Sequence, residues 1–469
     1  MGANVRFLAL EDASAFLEKK VNFIAIVLDC GFSKPTKGTD YCCSLRIIDE
    51  TRHQTGMTVN IFTKREENLP ILASLGDVIQ LCRVQVKVHD GDVNAVFNKK
   101  FSSFALYEGK DCDDFHPYQV SSLFRPNDDD KVFVDRLRKW RVNFKFHEGL
   151  VLFATLVWMT FGRNSNNFPM LREIKGEYPI DLVCKILHIH RTTQGDWIAF
   201  AWDGTDTPPN VIHAKLEDEL NSPLRLQQEP EPLAEDLLCT FPKIGSIIRL
   251  NFDFNPDMHI HLLKVNKWIK FINLLLYEYD GLWNGSFSTH SKLRYTSEDD
   301  YLIIERQRLF DARLSLFLRM PSRIFPKPSP ITVVDQDHTT LATLMTVLTH
   351  REGTARFKCI VRVVAAMPLE AVNLRTPAVS YKMRLTLEDS TARIHAFLVN
   401  EQMETFFGGN PSIDNLTRKF NRLLGVGEGS ARNEIDEPSR NPPWVCVCIE
   451  TNVYGSRPFK IYNSSIVFA

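Results

Sequence analysis

Alternating apolar and polar positions recur at three widely spaced places along this chain. In KGTDYCCSLRIIDET, Lys37 to Thr51, Cys43, Leu45 and Ile47 fall on one side and Ser44, Arg46 and Ile48 on the other. That is the period of a half-buried strand. It runs into Asp49-Glu50-Thr51, where the Asp carboxylate can accept from the amide two residues on and fix a turn, and Met57 to Phe62 follows as a second strand. Trp197 to Trp202 leads likewise into Asp203-Gly204-Thr205 and Val211 to Leu216. Met383 to Leu387 leads into Asp389-Ser390-Thr391 and Arg393 to Val399. Three copies of strand, Asp-x-Thr turn and strand predict one small β-domain used three times.

Around the first copy, Val21 to Leu28 reads as a strand, Leu69 to Leu75 as a short helical turn and Val78 to His89 as a long strand. Asp90-Gly91 is a hairpin signal leading into Val93 to Phe97 and Ser103 to Tyr107. Five strands with a short helix between the third and fourth suit a small Greek-key barrel. Asp128 to Phe144 is expected as a closing helix with Val132, Leu137 and Trp140 towards one face. This first domain is placed at residues 1–148, the second at 165–320 and the third at 331–469. In the second, Tyr178 to Ile189 is the first strand, the Trp197 to Leu216 hairpin supplies two more, Ser246 to Phe254 is the fourth and His259 to Lys267 the fifth. Pro321 to Pro330 is a proline-rich linker. The third takes Leu341 to Thr349 as a helix, Arg356 to Ala366 as a strand, helices at Glu401 to Phe407 and Ile413 to Leu424, and closing strands at Trp444 to Val453 and Phe459 to Phe468. The expected class is all-β with short helices, three barrels in tandem.

Composition narrows the function. A net charge of -1 excludes a chain that is basic overall, so any nucleic-acid site must be a local groove. The 10 Cys include no Cys-x-x-Cys and so no half of a zinc site by spacing; reduced thiols of a cytosolic or nuclear protein are expected. His259 and His261 would share a strand face, but no third ligand stands at a useful spacing, and no metal is expected. Leu150 to Phe161 is too short for a membrane span. With no catalytic motif and no phosphate-binding glycine loop, neither an enzyme nor a cofactor is expected.

A barrel of this kind binds extended polymers across its second and third strands and the flanking loops. Single-stranded nucleic acid needs flat π-faces for its bases and cations for its backbone. The first domain supplies both. Phe32, Lys34 and Lys37 precede the second strand; Arg46 and Phe62 lie on the hairpin; Arg83, Lys87 and His89 on the fourth strand; Asn94 and Lys99 on or beside the fifth. Asp40 repels phosphate but can accept from base amino groups, which would mark base reading.

At these residues the chain resembles the protection-of-telomeres family. KGTDYC, the strand ending in Ile-Ile-Asp, and NIF followed by Leu-Pro resemble its first barrel. IDLVCKIL, WDGTDTP and HIH resemble the second; MRLTLEDSTARIHAFL and PWVCVCIE resemble the third. The match is nearest to plant members. The resemblance implies a nuclear, telomeric, monomeric protein of oligonucleotide/oligosaccharide-binding (OB) barrels. The first two would bind G-rich single-stranded DNA such as TTTAGGG repeats, and the third would dock a shelterin-type protein partner, with the telomerase ribonucleoprotein as a further partner. It implies that Lys37, Thr39, Asp40 and Tyr41 form a DNA-contacting loop, that Phe62 stacks on a base, and that Arg83, His89 and Asn94 add contacts. Trp202, Asp203 and Thr205 match a second-barrel motif. Vertebrate members carry aromatic residues where this chain has Asp29, Cys30 and Gly31, and they carry a third-barrel zinc site that this chain lacks. Two readings stand: a binder of telomeric single strands, and an accessory scaffold of telomerase or the telomere complex acting through protein partners. A replication-type binder without sequence preference is a third.

Overall fold

The computed structural model describes residues 7–143, 168–315 and 331–467, apart from short internal stretches of which 369–381 and 427–439 are the longest. The expected connection Leu150 to Asn167, the proline linker and most of Val211 to Leu216 lie outside the described residues.

In the first barrel the strands are β1 (Lys20–Gly31), β2 (Lys34–Pro35), β3 (Tyr41–Ile48), β4 (Met57–Thr63), β5 (Val78–His89), β6 (Asp92–Phe97), β7 (Ser103–Tyr107) and β8 (Gln119–Val120), followed by α1 (Asp130–Asn143). Hydrogen bonding runs β1–β3–β4–β6–β5 and returns to β1, so five strands close, with β4 and β6 parallel. Inside lie Leu45, Ile47, Val59, Ile61, Val84, Val86 and Ala95, the alternate residues of each strand. On α1 the packed residues are Val134 and Leu137, while Val132 is 71% exposed; the apolar stripe is one residue out of the expected phase at that end.

The second barrel is built from β9 (Tyr178–Arg191), β10 (Trp197–Trp202), α2 (Glu235–Leu238), β11 (Ile248–Phe252), β12 (Trp268–Tyr279), β13 (Leu282–Phe287), β14 (Lys292–Arg294) and α3 (Tyr301–Ser315). It closes by the same circuit, β9–β10–β11–β13–β12, again with one parallel pair. Here the expected strand order shifts. Ile248–Phe252 is the third strand rather than the fourth, and His259 to Lys267 is no strand, because His259 and His261 sit at a single 3₁₀ turn over Ile260–Leu262. A long polar connection separates the third strand from the second, so sequence proximity suggested the wrong partner.

The third barrel comprises β15 (Thr332–Val334), β16 (Thr340–Leu341), α4 (Leu344–Thr349), β17 (Arg356–Met367), β18 (Lys382–Glu388), β19 (Arg393–Val399), α5 (Glu401–Phe407), α6 (Ile413–Leu423), β20 (Trp444–Glu450), β21 (Phe459–Tyr462) and β22 (Ser464–Ile466). Its circuit is β17–β18–β19–β21–β20.

The three Asp-x-Thr turns do one job three times. Asp49 Oδ1 accepts from the Thr51 amide (3.0 Å) and hydroxyl (2.7 Å), and its Oδ2 accepts from the Leu10 amide (2.8 Å). Asp203 accepts from Thr205 and from the Leu171 amide (2.8 Å), and Asp389 from Thr391 and from the Leu344 amide (2.7 Å). One carboxylate oxygen closes the turn. The other satisfies an orphan donor at the start of the helical segment that precedes each barrel. Trp202 completes the second copy, its indole N–H donating to the Thr205 carbonyl. The motif is therefore a fold signature, and all three of these second-barrel residues are fully buried.

Barrels one and two share one sheet. β14 adds to the end of β1, pairing Arg294 with Asp29, Leu293 with Cys30 and Lys292 with Gly31. Barrel three meets barrel two through Arg384–Glu219 (2.9 Å), through Arg249 donating to the Thr391 carbonyl (3.2 Å), and through a bridge of two backbone hydrogen bonds between Ile212 and Arg440.

Candidate nucleic-acid interface

Cross-strand partners point to the same face, so register fixes the outer wall of the first barrel. β4 alternates, with Met57, Val59 and Ile61 inside and Thr58, Asn60 and Phe62 outside, each half-exposed. Phe62 pairs with Cys42, Asn60 with Ser44 and Thr58 with Arg46. Across the parallel pair Asn60 is level with Val96, and beyond it Gln85 faces Val96 and Lys87 faces Asn94. Two rows result. One reads Ser44, Asn60, Val96, Gln85; the other reads Arg46, Thr58, Asn94, Lys87. The wall is polar with one ring at its edge, which suits a base stacked on Phe62 and a backbone along Arg46 and Lys87. His89 continues past Lys87 in open solvent beside Asp90.

Arg83 lies at the bend of β5 with φ 58°, and its guanidinium faces the Phe101 ring at 5.9 Å, where Lys20 Nζ also sits at 3.7 Å. The loop before β3 is closed by Thr36, whose amide and hydroxyl both donate to the Asp40 carbonyl at 2.8 Å, leaving Lys37 and Thr39 exposed.

Four expected site residues stand differently. Phe32 is 3% exposed, with its ring among Phe254 (5.0 Å), Phe287 (5.4 Å) and His259 (5.5 Å) of the second barrel. It joins the barrels and offers no face to a base. Burial also lowers the His259 pKa, so that ring is neutral. Lys34 reaches the Thr289 carbonyl at 3.4 Å. Asp40 is ion-paired with Lys99 at 2.5 Å, so each neutralises the other until a ligand intervenes. Tyr41 packs against the core rather than outward.

Asp29, Cys30 and Gly31 have their own logic. Asp29 is buried and takes two hydrogen bonds from Arg294, Nε to Oδ1 at 2.7 Å and a terminal nitrogen to Oδ2 at 3.1 Å, with Arg46 Nε 3.8 Å away. A Cβ on Gly31 would stand 2.9 Å from the Ser44 carbonyl oxygen, so only glycine fits where the two strands crowd. Sequence reading missed Ser44, Thr58, Asn60 and Gln85, although strand parity with Phe62 and Lys87 signals them. It also missed Lys292 and Arg294, which only the pairing of the barrels brings here.

The comparisons with known proteins bear on this surface. The family described as "Telomeric single stranded DNA binding POT1/CDC13" matches residues 2–149, and that described as "POT1A-like, OB fold domain" matches 327–456. Protection of telomeres protein 1b of Arabidopsis thaliana is 34% identical over 98% of this chain and 97% of its own length. The chain belongs to the protection-of-telomeres family. Its fold is accordingly that of tandem OB barrels. Protection of telomeres protein 1a of the same plant is 33% identical over 98% of each chain. Human protection of telomeres protein 1 is 26% identical over 47% of this chain and 33% of its own.

Proposed function

We propose that this chain binds single-stranded, G-rich telomeric DNA on the outer wall of its first barrel, with the second barrel continuing the path, and so caps chromosome ends and regulates telomerase in the nucleus. The observation that carries this is Phe62: a half-exposed ring on β4 opposite Cys42, at the edge of a polar wall whose row of Arg46, Thr58, Asn94 and Lys87 lies four residues further along the strand. The contact set is Lys37, Thr39, Asp40, Arg46, Phe62, Arg83, Lys87, His89, Asn94 and Lys99, now with Ser44, Thr58, Asn60 and Gln85. The units are 1–148 and 165–320 for the single strand and 331–469 for a shelterin-type protein partner, in a monomer. Photocrosslinking a TTTAGGG-repeat oligonucleotide to the purified chain tests the surface: crosslinked peptides should come from β3 to β6. Crosslinks confined to the third barrel would sink it.

One observation favours the second reading, a telomerase-associated scaffold with weak DNA binding. Phe32 and the Asp40–Lys99 pair are already engaged by the protein itself. In that case the chain co-purifies with the telomerase ribonucleoprotein yet gives no crosslink.

A further inference from the structure

The seam between the first two barrels carries more positive charge than it neutralises. Both outer rows continue across it, since Arg46 faces Asp29 and Asp29 faces Arg294, while Gly31 faces Lys292. Three cations, Arg46, Lys292 and Arg294, thus surround one carboxylate. Asp29 accepts its short bonds from Arg294, and Arg46 Nε, 3.8 Å from Asp29, has no hydrogen-bond partner. Lys292 is half-buried and makes no ion pair among the described residues. Gly31 beneath it carries no side chain, and a Cβ there would meet the Ser44 carbonyl oxygen at 2.9 Å and Lys292 Cγ at 3.7 Å.

We propose that this seam seats a phosphodiester group of a single strand crossing from the first barrel to the second, held by Lys292 with Arg46 alongside. The inference rests on the single-strand function above and names its crossing point. A seat with no ring cannot stack a base, so the site takes the backbone. Three cations around one carboxylate leave an excess of positive charge that an anion relieves. Burial holds the Lys292 pKa below the ordinary lysine value, and Arg46 and Arg294 push the same way against Asp29, so the free protein keeps this ammonium at a cost that a phosphate would remove.

The test uses the full chain, two G-rich oligonucleotides of roughly six and twelve nucleotides, the shorter sized to one barrel, and the variants Lys292→Gln and Lys292→Arg. Each phosphate contact on a single strand contributes about 0.7 to the salt slope, so between ~50 and ~200 mM salt Lys292→Gln should lose about 2.6-fold less affinity than wild type. Its affinity for the longer strand should fall at low salt, the shorter strand should bind as before, and Lys292→Arg should keep the wild-type slope. Thermal unfolding verifies that both variants fold. Equal binding and equal slopes for wild type and Lys292→Gln on both strands would overturn the seam site, as would equal losses on both. If wild type binds neither strand, the single-strand function itself fails, a distinct outcome.

Discussion

The Asp29 carboxylate draws both of its close hydrogen bonds from the guanidinium of Arg294, 265 residues further along the chain. That pair sits where β14 extends the sheet of the first barrel, so it sets how the two barrels meet. With Asp29 2% exposed and Arg294 10%, removing one partner strands a buried charge. Asp29→Asn should cost about 3–5 kcal/mol, and the double change with Arg294→Gln should cost less than the sum. Denaturant unfolding of the four proteins of that cycle measures the coupling; a value near zero would mean the pair is incidental.

The two phenylalanines first placed on the DNA surface should part company. Phe62→Ala should leave stability little changed and cost about 1–3 kcal/mol of single-strand binding, the worth of one stacked base. Phe32→Ala empties a ring-lined junction and should cost about 3–5 kcal/mol of stability. Thermal unfolding and oligonucleotide titration on both variants would expose a reversal of these roles.

Asp40 and Lys99 form a half-exposed pair, so breaking it changes stability little. Asp40→Ala frees the Lys99 ammonium for phosphates and removes an acceptor for base amino groups. Affinity for a scrambled strand should rise while the preference for the G-rich strand falls. Titration of both strands at fixed salt decides the matter, and an unchanged preference would remove Asp40 from base reading.

Asp203 and Asp389 are fully enclosed, and burial raises the pKa of each above the ordinary 3.8 despite several donors. A carboxyl group with a raised folded pKa favours the fold most below the unfolded value and loses that contribution as pH rises through the folded one. Asp203→Asn should therefore flatten the pH dependence of unfolding just above pH 3.8. At neutral pH the amide NH₂ faces amide donors, so a net cost of about 1–3 kcal/mol is expected. A variant as stable as wild type at neutral pH would show that the turn does not need a two-oxygen acceptor.

The legible part of this chain was local. Period two within β3 and β4, together with the Asp-x-Thr turns, revealed the barrels, and Phe62 follows from strand parity. What escaped was distant pairing. Phe32 reads as a loop aromatic until Phe254 and Phe287 close over it, more than 200 residues away. The third strand of the second barrel was misnumbered for the same reason, and His259 and His261 lost their shared face once the strand beneath them became a turn. Tyr41 shares the parity of Cys43, Leu45 and Ile47, so alternation sets it on the inner face, and only the family resemblance placed it among the DNA contacts.

Everything turns on whether unpaired guanines come to rest against β4. The direct measurement is equilibrium titration of the intact chain with a fluorescent TTTAGGG-repeat oligonucleotide, beside its scrambled sequence and its RNA counterpart, for wild type and Phe62→Ala. We expect tight binding of the repeat, weaker binding of the other two, and a loss of about 5- to 150-fold on removing the ring. Equal affinity for all three strands, or a repeat bound as well without Phe62 as with it, would contradict the account.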